Sequence, residues 1–250
     1  MVLGILQARV SSTRLPGKVI KDIMGLPMII RQVERVRRAK VIDQLLIATS
    51  LDSSDDAIEH LCEEYKIAYF RGSLNDVLDR FYRAAESVLP DHIVRLTGDC
   101  PLADPELIDK VISYHLEGGF DYTSNTVEPT YPDGLDIEVF RFHCLKKAWE
   151  EARLPSQREH VTLFMYTQPN LFRVGSFKGD VDYSKLRLTV DEPVDFELVT
   201  RIYQALYPSN PEFTTEDVLT FLKENKTLVS LNDMHIRNEG LQRSLSKDFL

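Results

Sequence analysis

Three cations, Arg9, Arg14 and Lys18, surround one turn in the stretch Gln7-Ala8-Arg9-Val10-Ser11-Ser12-Thr13-Arg14-Leu15-Pro16-Gly17-Lys18. Small and hydroxyl residues fill the space between them. A loop that offers backbone N–H groups, hydroxyls and positive charge suits an anion, and phosphate is the obvious one. The plainer reading is a solvated loop with incidental cations, but three of them at one turn in a chain of net charge −9 favour the anion site. Two aspartates offer the complementary chemistry. Asp99 follows the apolar run Ile93-Val94-Arg95-Leu96-Thr97-Gly98, and Asp191 follows Leu186-Arg187-Leu188-Thr189-Val190. Carboxylate oxygen is what Mg²⁺ takes, often from one or two side chains together with substrate phosphates. Read alone, the Gly98-Asp99 dipeptide favours an Asx-turn, and Asp191 is as good a helix N-cap as a metal ligand.

Other polar constellations are less specific. Arg71-Gly72-Ser73 ends a short run of β-formers and could hydrogen-bond a base or ribose, whereas Asp76 and Arg80 could equally be an i,i+4 pair. In Leu135-Asp136-Ile137-Glu138-Val139 the alternation sets Asp136 and Glu138 on one face, for polyol hydroxyls or for solvent. Arg158-Glu159-His160 opens a helix with a cation and an imidazole suited to a carboxylate, although Ser156-x-x-Glu159 also reads as a capping box. His60, His92, His115, His143 and His235 have no partner spacing and default to structural roles. Cys62, Cys100 and Cys144 are scattered, with no Cys-x-x-Cys, which fits a reduced compartment better than a disulfide or zinc framework. No base for a Cys100 nucleophile is identifiable.

The elements that must position these residues alternate. Strands are expected at Val2–Leu6, Gln44–Ser50, Ile67–Phe70 and His92–Thr97. Helices follow from Pro27 to Ala39, from the Asp52–Asp56 cluster to Tyr65, from Asp76 to Val88, and from Asp104-Pro105 to Leu116. Four strand–helix repeats with short loops predict an α/β, Rossmann-like, mostly parallel sheet, which brings the loop and Asp99 to one carboxyl edge. From Gly118-Gly119 the rhythm breaks. Further strands are expected at Phe172–Phe177 and Leu186–Val190, and helices at 144–152, 156–166, 193–207 and 214–225. Residues 121–180 read as a β/α insertion arm on a single domain of residues 1–230. The tail, 231–250, cannot be assigned.

The loop is not a P-loop, since Ser12 and Val19 stand where that motif needs Gly and Ser or Thr, and no Gly-x-Gly-x-x-Gly occurs. At Arg9-x-x-Ser12-x-Arg14-Leu15-Pro16-x-Lys18 it resembles the N-terminal signature of the CMP-sugar cytidylyltransferases, enzymes acting on 3-deoxy sugar acids such as KDO and sialic acid. The branch of spore-coat polysaccharide biosynthesis is the most similar. The resemblance extends to Gly98-Asp99-x-Pro101-Leu102 and Leu188-Thr189-Val190-Asp191. It implies CTP and Mg²⁺: Ala8, Arg9, Ser12, Arg14 and Lys18 on the nucleotide, with Arg71 and Ser73 at cytosine and ribose. It further implies Asp99 and Asp191 as metal carboxylates, and catalytic roles for these two with Arg14 and Lys18. Asp136, Glu138, Arg158 and His160 would line the acceptor pocket for a sugar acid. It also implies surface polysaccharide biosynthesis and a homodimer. Cys100 stands where the KDO enzymes have Glu, which puts their sugar-acid contacts in question here.

Composition sets outer bounds. Hydrophobic content of 43% and charged content of 28% are ordinary for a soluble globular chain. An acidic balance argues against nucleic acid and anionic membrane as partners. With no basic leader and no apolar run of transmembrane length, a cytoplasmic location is expected. Two rivals remain: a metal-dependent glycosyltransferase, for which Asp180-Val181-Asp182 supplies the Asp-x-Asp motif, and a non-catalytic nucleotide-binding subunit.

Overall fold

The computed structural model describes residues 1–232, 237 and 239–248; the expectation for His235 lies outside them. Strand β1 (Val2–Gln7) alternates its side chains between two cores. Leu3 and Ile5 face one, and Val2 and Leu6 the other. A small hairpin, β2 (Asp22–Ile23) and β3 (Leu26–Pro27), leads into α1 (Met28–Val36). Strand β4 (Gln44–Ser50) pairs parallel to β1, and β5 (Ala68–Gly72) parallel to β4, with α2 (Asp56–Glu64) between them. After α3 (Val77–Glu86), β6 (His92–Thr97) pairs with the other side of β1 in a register that sets Gln7 against Thr97.

Helix α4 (Pro105–Gly118) begins with Asp104 as N-cap and Pro105 in the first turn, and ends on Gly119 in the left-handed region. Strands β7 (Tyr122–Ser124), β8 (Glu138–Arg141) and β9 (Val174–Ser176) then extend the same sheet. Its order is β5-β4-β1-β6-β8-β7-β9, and β8 alone runs antiparallel to its neighbours. The fold is the mostly parallel, Rossmann-like α/β arrangement that the alternation predicts.

Helices α1, α2 and α4, with α8 (Pro193–Leu206) and α9 (Thr215–Glu224), cover one face. Helix α3, with α5 (Phe142–Glu151) and α7 (Leu163–Tyr166), covers the other. Helix α10 (Lys226–Val229) precedes the last segment, where α11 (Glu239–Lys247) packs on α6 (Pro155–Glu159).

Two local expectations are corrected. Ser156 does not open a capping box: α6 starts at Pro155, the Gln157 side chain accepts from the Leu154 N–H, and the Ser156 hydroxyl donates to Asp248. The helix stops at His160 because Val161 takes a positive φ of 45° before α7 begins. Among the described residues Leu186–Val190 joins no ladder: it makes one isolated bridge, Asp133 with Arg187, and the Val190 N–H donates to the Asp99 carbonyl at 2.8 Å. Among the described residues no helix is long and apolar enough to cross a membrane.

Candidate active site

The cationic loop is held from below. The Val10 N–H donates to Asp55 Oδ1 at 2.6 Å, and Asp55, fully buried, also accepts from the Ser50 N–H and hydroxyl. The Gly17 N–H closes the turn on the Val10 carbonyl at 3.0 Å, and the Ser12 hydroxyl accepts from the Leu15 N–H. Gly98 lets the Asp99 loop press against this one. A Cβ there would stand 3.0 Å from Ala8 Cβ and 3.1 Å from the Gln7 carbonyl oxygen.

Lys18 points inward. Its ammonium donates to the Val190 carbonyl at 2.7 Å, to Asp191 Oδ1 at 2.9 Å and to Asp99 Oδ2 at 3.4 Å. Enclosure opposes its charge, but Asp99 and Asp191 outweigh that and hold its pKa above the ordinary value. Asp99 shows the reciprocal effect. Enclosure works against its ionisation, yet Lys18 and the Thr97 hydroxyl bring its pKa down to about 2. Arg14 lies 2.9 Å from Asp191 Oδ1 and 3.7 Å from Glu192. Asp191 does not cap α8. Glu192 occupies the N-cap position, and Asp195 Oδ2 accepts from the Asp191 and Glu192 N–H groups. The Asp191 carboxylate is thereby left to Lys18, Arg14 and Arg187.

Two cavities open along this edge of the sheet. The larger, about 620 Å³, is bordered by Ala8, Arg9, Ser12, Lys18, Asn75 and Arg80. The smaller, about 430 Å³, is bordered by Cys100, Asp133, Asp136, Glu138, Thr162 and Tyr166. Arg14, Asp99, Asp191 and His160 border both. The loop and the two aspartates therefore meet, although they come from three distant stretches of sequence.

Several residues stand elsewhere than expected. Arg71 and Ser73 do not border either cavity. The Arg71 guanidinium ion-pairs with Asp56 at 2.8 Å and with Glu59, and donates to the Ser50 carbonyl, on the α2 side of the sheet. The Ser73 hydroxyl accepts from the Asp76 N–H as a turn cap. In their place stands Arg80, 2% exposed, whose Nη1 donates to the Ser73 carbonyl while its Nε has no partner among the described residues. Burial, with the charge of Arg9, lowers its pKa to about 10. Arg158 borders the larger cavity, not the smaller, and is fixed on Asp76 at 2.6 Å. His160 is held neutral, because burial lowers its pKa.

In the smaller cavity Glu138 accepts from Arg95, Tyr122 and Thr162. Asp136 pairs with Arg237 at 2.6 Å. Enclosure, against the pull of Arg237 and reinforced by Asp133 and Glu138, pushes the Asp136 pKa to about 7. The Cys100 thiol is also pushed well up by enclosure, and by Asp99, so it is no thiolate nucleophile. Sequence reasoning missed Asp55, Asp133, Arg187 and Asp195. Arg187 binds Asp133, Asp191 and Asp195, each at 3.0 Å, and so ties its own stretch of chain to Asp133.

The family model for cytidylyltransferases matches residues 3–233. The chain belongs to the cytidylyltransferase family. This cytidylyltransferase is 37% identical over 231 residues to the spore coat polysaccharide biosynthesis protein SpsF of Bacillus subtilis, covering 90% of this chain and 95% of that one. It is 34% identical over 139 residues to a 3-deoxy-manno-octulosonate cytidylyltransferase of Anaeromyxobacter sp., 54% of each. The solved structure of a cytidylyltransferase from Leptospira borgpetersenii superposes with a TM-score of 0.87 at 31% identity, covering 91% of this chain and 96% of that one. The cytidylyltransferase is thus an enzyme of the nucleotidyltransferase class. Its Asp180-Val181-Asp182 is exposed and borders neither of these two cavities.

Proposed function

We propose that the enzyme transfers CMP from CTP to a sugar acid, with CTP in the larger cavity and the acceptor in the smaller. One observation carries this reading: the two cavities meet at Arg14, Asp99 and Asp191. There an acceptor hydroxyl oxygen would bond to the α-phosphorus and release its proton to solvent, while the bond to the bridging oxygen breaks and pyrophosphate leaves with that electron pair. Arg9, without an ion pair among the described residues, would take terminal phosphate oxygens together with Arg14 and Ser12. Arg80 and Asn75 take the nucleoside end that was expected of Arg71 and Ser73. Much of the rate would come from positioning and fixed charge.

Three oxygens already converge on the Lys18 ammonium, one from each of Asp99, Asp191 and Val190. That hard-oxygen set fits Mg²⁺, which Asp99 and Asp191 would hold. When bound, such an ion would lower the pKa of the acceptor hydroxyl and neutralise phosphate charge. Asp136, Glu138 and neutral His160 border this cavity and would receive or donate to sugar hydroxyls. The similarity to a spore coat polysaccharide biosynthesis protein and to a 3-deoxy-manno-octulosonate cytidylyltransferase supports a sugar acid destined for surface polysaccharide. The same reading carries a homodimer through residues 121–180 and a cytoplasmic location.

A second reading has one observation in its favour. Arg14, Arg95 and Arg187, the arginines bordering the smaller cavity, are already paired with its carboxylates. A neutral or amino-bearing sugar would bring no further negative charge there. Pyrophosphate release with CTP, UTP, GTP and ATP against sugar acids, neutral sugars and amino sugars separates these cases. Release with CTP and a sugar acid supports the first, and release with a neutral or amino sugar alone supports the second. Release of free nucleotide from a nucleotide-sugar would overturn both.

A further inference from the structure

The family match ends at residue 233, yet the chain beyond it reaches back to the smaller cavity. Arg237 donates to Asp136 Oδ1 at 2.6 Å and to the Tyr131 carbonyl at 3.2 Å, with its Nε 3.8 Å from Asp133. Glu239, Gly240 and Leu241, in the first turn of α11, border the smaller cavity. Glu239 also lies 3.8 Å from Arg14. The helix is latched at two further points. Ser244, buried, donates its hydroxyl to Glu159 at 2.7 Å and sits 2.9 Å from His160 Nε2. Asp248 accepts from the Ser156 N–H at 2.9 Å and from its hydroxyl, at the start of α6.

We propose that α11 forms the outer wall of the acceptor cavity, and that Arg237, held on Asp136 and close to Asp133, helps to position the acceptor within it. Arg237 supplies the positive charge that holds Asp133 and Asp136 in one arrangement, and α11 closes the mouth beside His160. These are positioning residues, outside the match that defines the family, so they can set which acceptor this chain accepts while leaving CTP binding untouched. Naming the smaller cavity as the acceptor's rests on the reading above; the wall itself does not.

Cys100 reports on the wall without any turnover, because it borders that cavity while Cys62 and Cys144 do not. The full chain is treated with a neutral methanethiosulfonate reagent at about pH 8.5, where each thiol reacts through its small thiolate fraction, and each cysteine is compared with its own wild-type rate by peptide mass spectrometry. In the double variant Ser244→Ala, Asp248→Ala, modification of Cys100 should accelerate at least fivefold, with Cys62 and Cys144 within twofold of wild type. Unchanged Cys100, or equal acceleration of all three, overturns the wall. Arg237→Ala should bind CTP within twofold of wild type, whereas millimolar 3-deoxy-manno-octulosonate should protect Cys100 in wild type and lose that protection in the variant, with Arg237→Lys restoring part of it. Weakening of CTP binding as large as the loss of protection, or protection unchanged in the variant, refutes the positioning role. If no sugar acid in the pyrophosphate assay is turned over while Cys100 still accelerates in the latch variant, the functional reading fails and the wall stands.

Discussion

Lys18 and Asp191 lie 173 residues apart, yet the Lys18 ammonium donates to Asp191 Oδ1 at 2.9 Å, and the same ammonium reaches Asp99. One cation thus ties the first loop of the chain to the two carboxylates proposed for the metal. Removing any one of the three unbalances the charge around the others, although Asp191 keeps Arg14 and Arg187. Asp99→Asn, Asp191→Asn and Lys18→Met should each lower CTP-dependent pyrophosphate release roughly a hundredfold, on the order of 3 kcal/mol in the barrier. Wild-type turnover in Asp99→Asn would remove Asp99 from the metal site.

Asp136 gives a pH dependence of unusual sign. Its carboxyl titrates near 3.8 in the unfolded chain and at about 7 in the fold. Between those values the folded state binds more protons than the unfolded one, so this group's contribution to stability falls as pH rises, and the whole penalty is present above pH 7. Asp136→Asn abolishes that slope. Urea unfolding of both proteins at pH 5 and pH 8 should show the variant gaining on wild type by on the order of 1–2 kcal/mol, less than the full shift because water reaches part of the carboxylate. A constant difference between the two pH values would refute the assignment.

Arg71 and Arg80 make a paired test of the nucleoside end. Arg71→Ala removes a side chain that serves Asp56 and Glu59, away from both cavities. KM for CTP should stay within about twofold, since nothing bound to substrate is lost. Arg80→Ala removes a guanidinium that borders the larger cavity and whose Nε has no partner among the described residues. KM for CTP should rise by about tenfold or more. Melting curves on both variants show whether loss of fold contributes. The reverse ranking would return the nucleoside end to Arg71.

The Arg71 result also shows what sequence could and could not reveal. The strands around Leu3, Ile47 and Val94 were legible because a buried parallel sheet needs unbroken apolar runs, and the loop from Arg9 to Lys18 was legible because such a loop departs from them. Which face a residue takes at a strand end was not. Gly72 turns toward α3, where a Cβ would meet Arg80 Cγ at 3.0 Å, so its neighbour Arg71 must turn to the opposite face and α2. Arg187 escaped notice for a different reason. Its partner Asp191 is only four residues on, but Asp133 comes from a separate segment, and only the packed chain brings that one to it. The tail from 231 was illegible because its contacts, Arg237 with Asp136 and Asp248 with Ser156, are also long-range and carry no periodic pattern.

Gly134 offers the sharpest test of how the second carboxylate is placed. Its φ is +100°, a region that L side chains rarely adopt, and a Cβ would stand 2.3 Å from Thr189 N and 2.5 Å from the Leu188 carbonyl carbon. The close approach lets the Leu188 N–H donate to the Asp133 carbonyl and sets Asp191 beyond it. Gly134→Ala therefore has two costs, backbone strain and a clash with main chain that no rotamer relieves. Together these should destabilise the protein by on the order of 3 kcal/mol, roughly 6–12 °C in Tm for a chain of this size. Gly25→Ala separates the two. Its φ is +84° but nothing lies within 4 Å of the added Cβ, so it should cost only about 1 kcal/mol. Where Gly134→Ala still folds, displacement of residues 187–191 should carry Asp191 away from Lys18 and depress turnover by at least tenfold. Gly25→Ala, remote from the cavities, should keep turnover within twofold. Equal Tm losses in the two variants would mean that strain alone accounts for Gly134, and that the approach to Thr189 has slack that the packing denies.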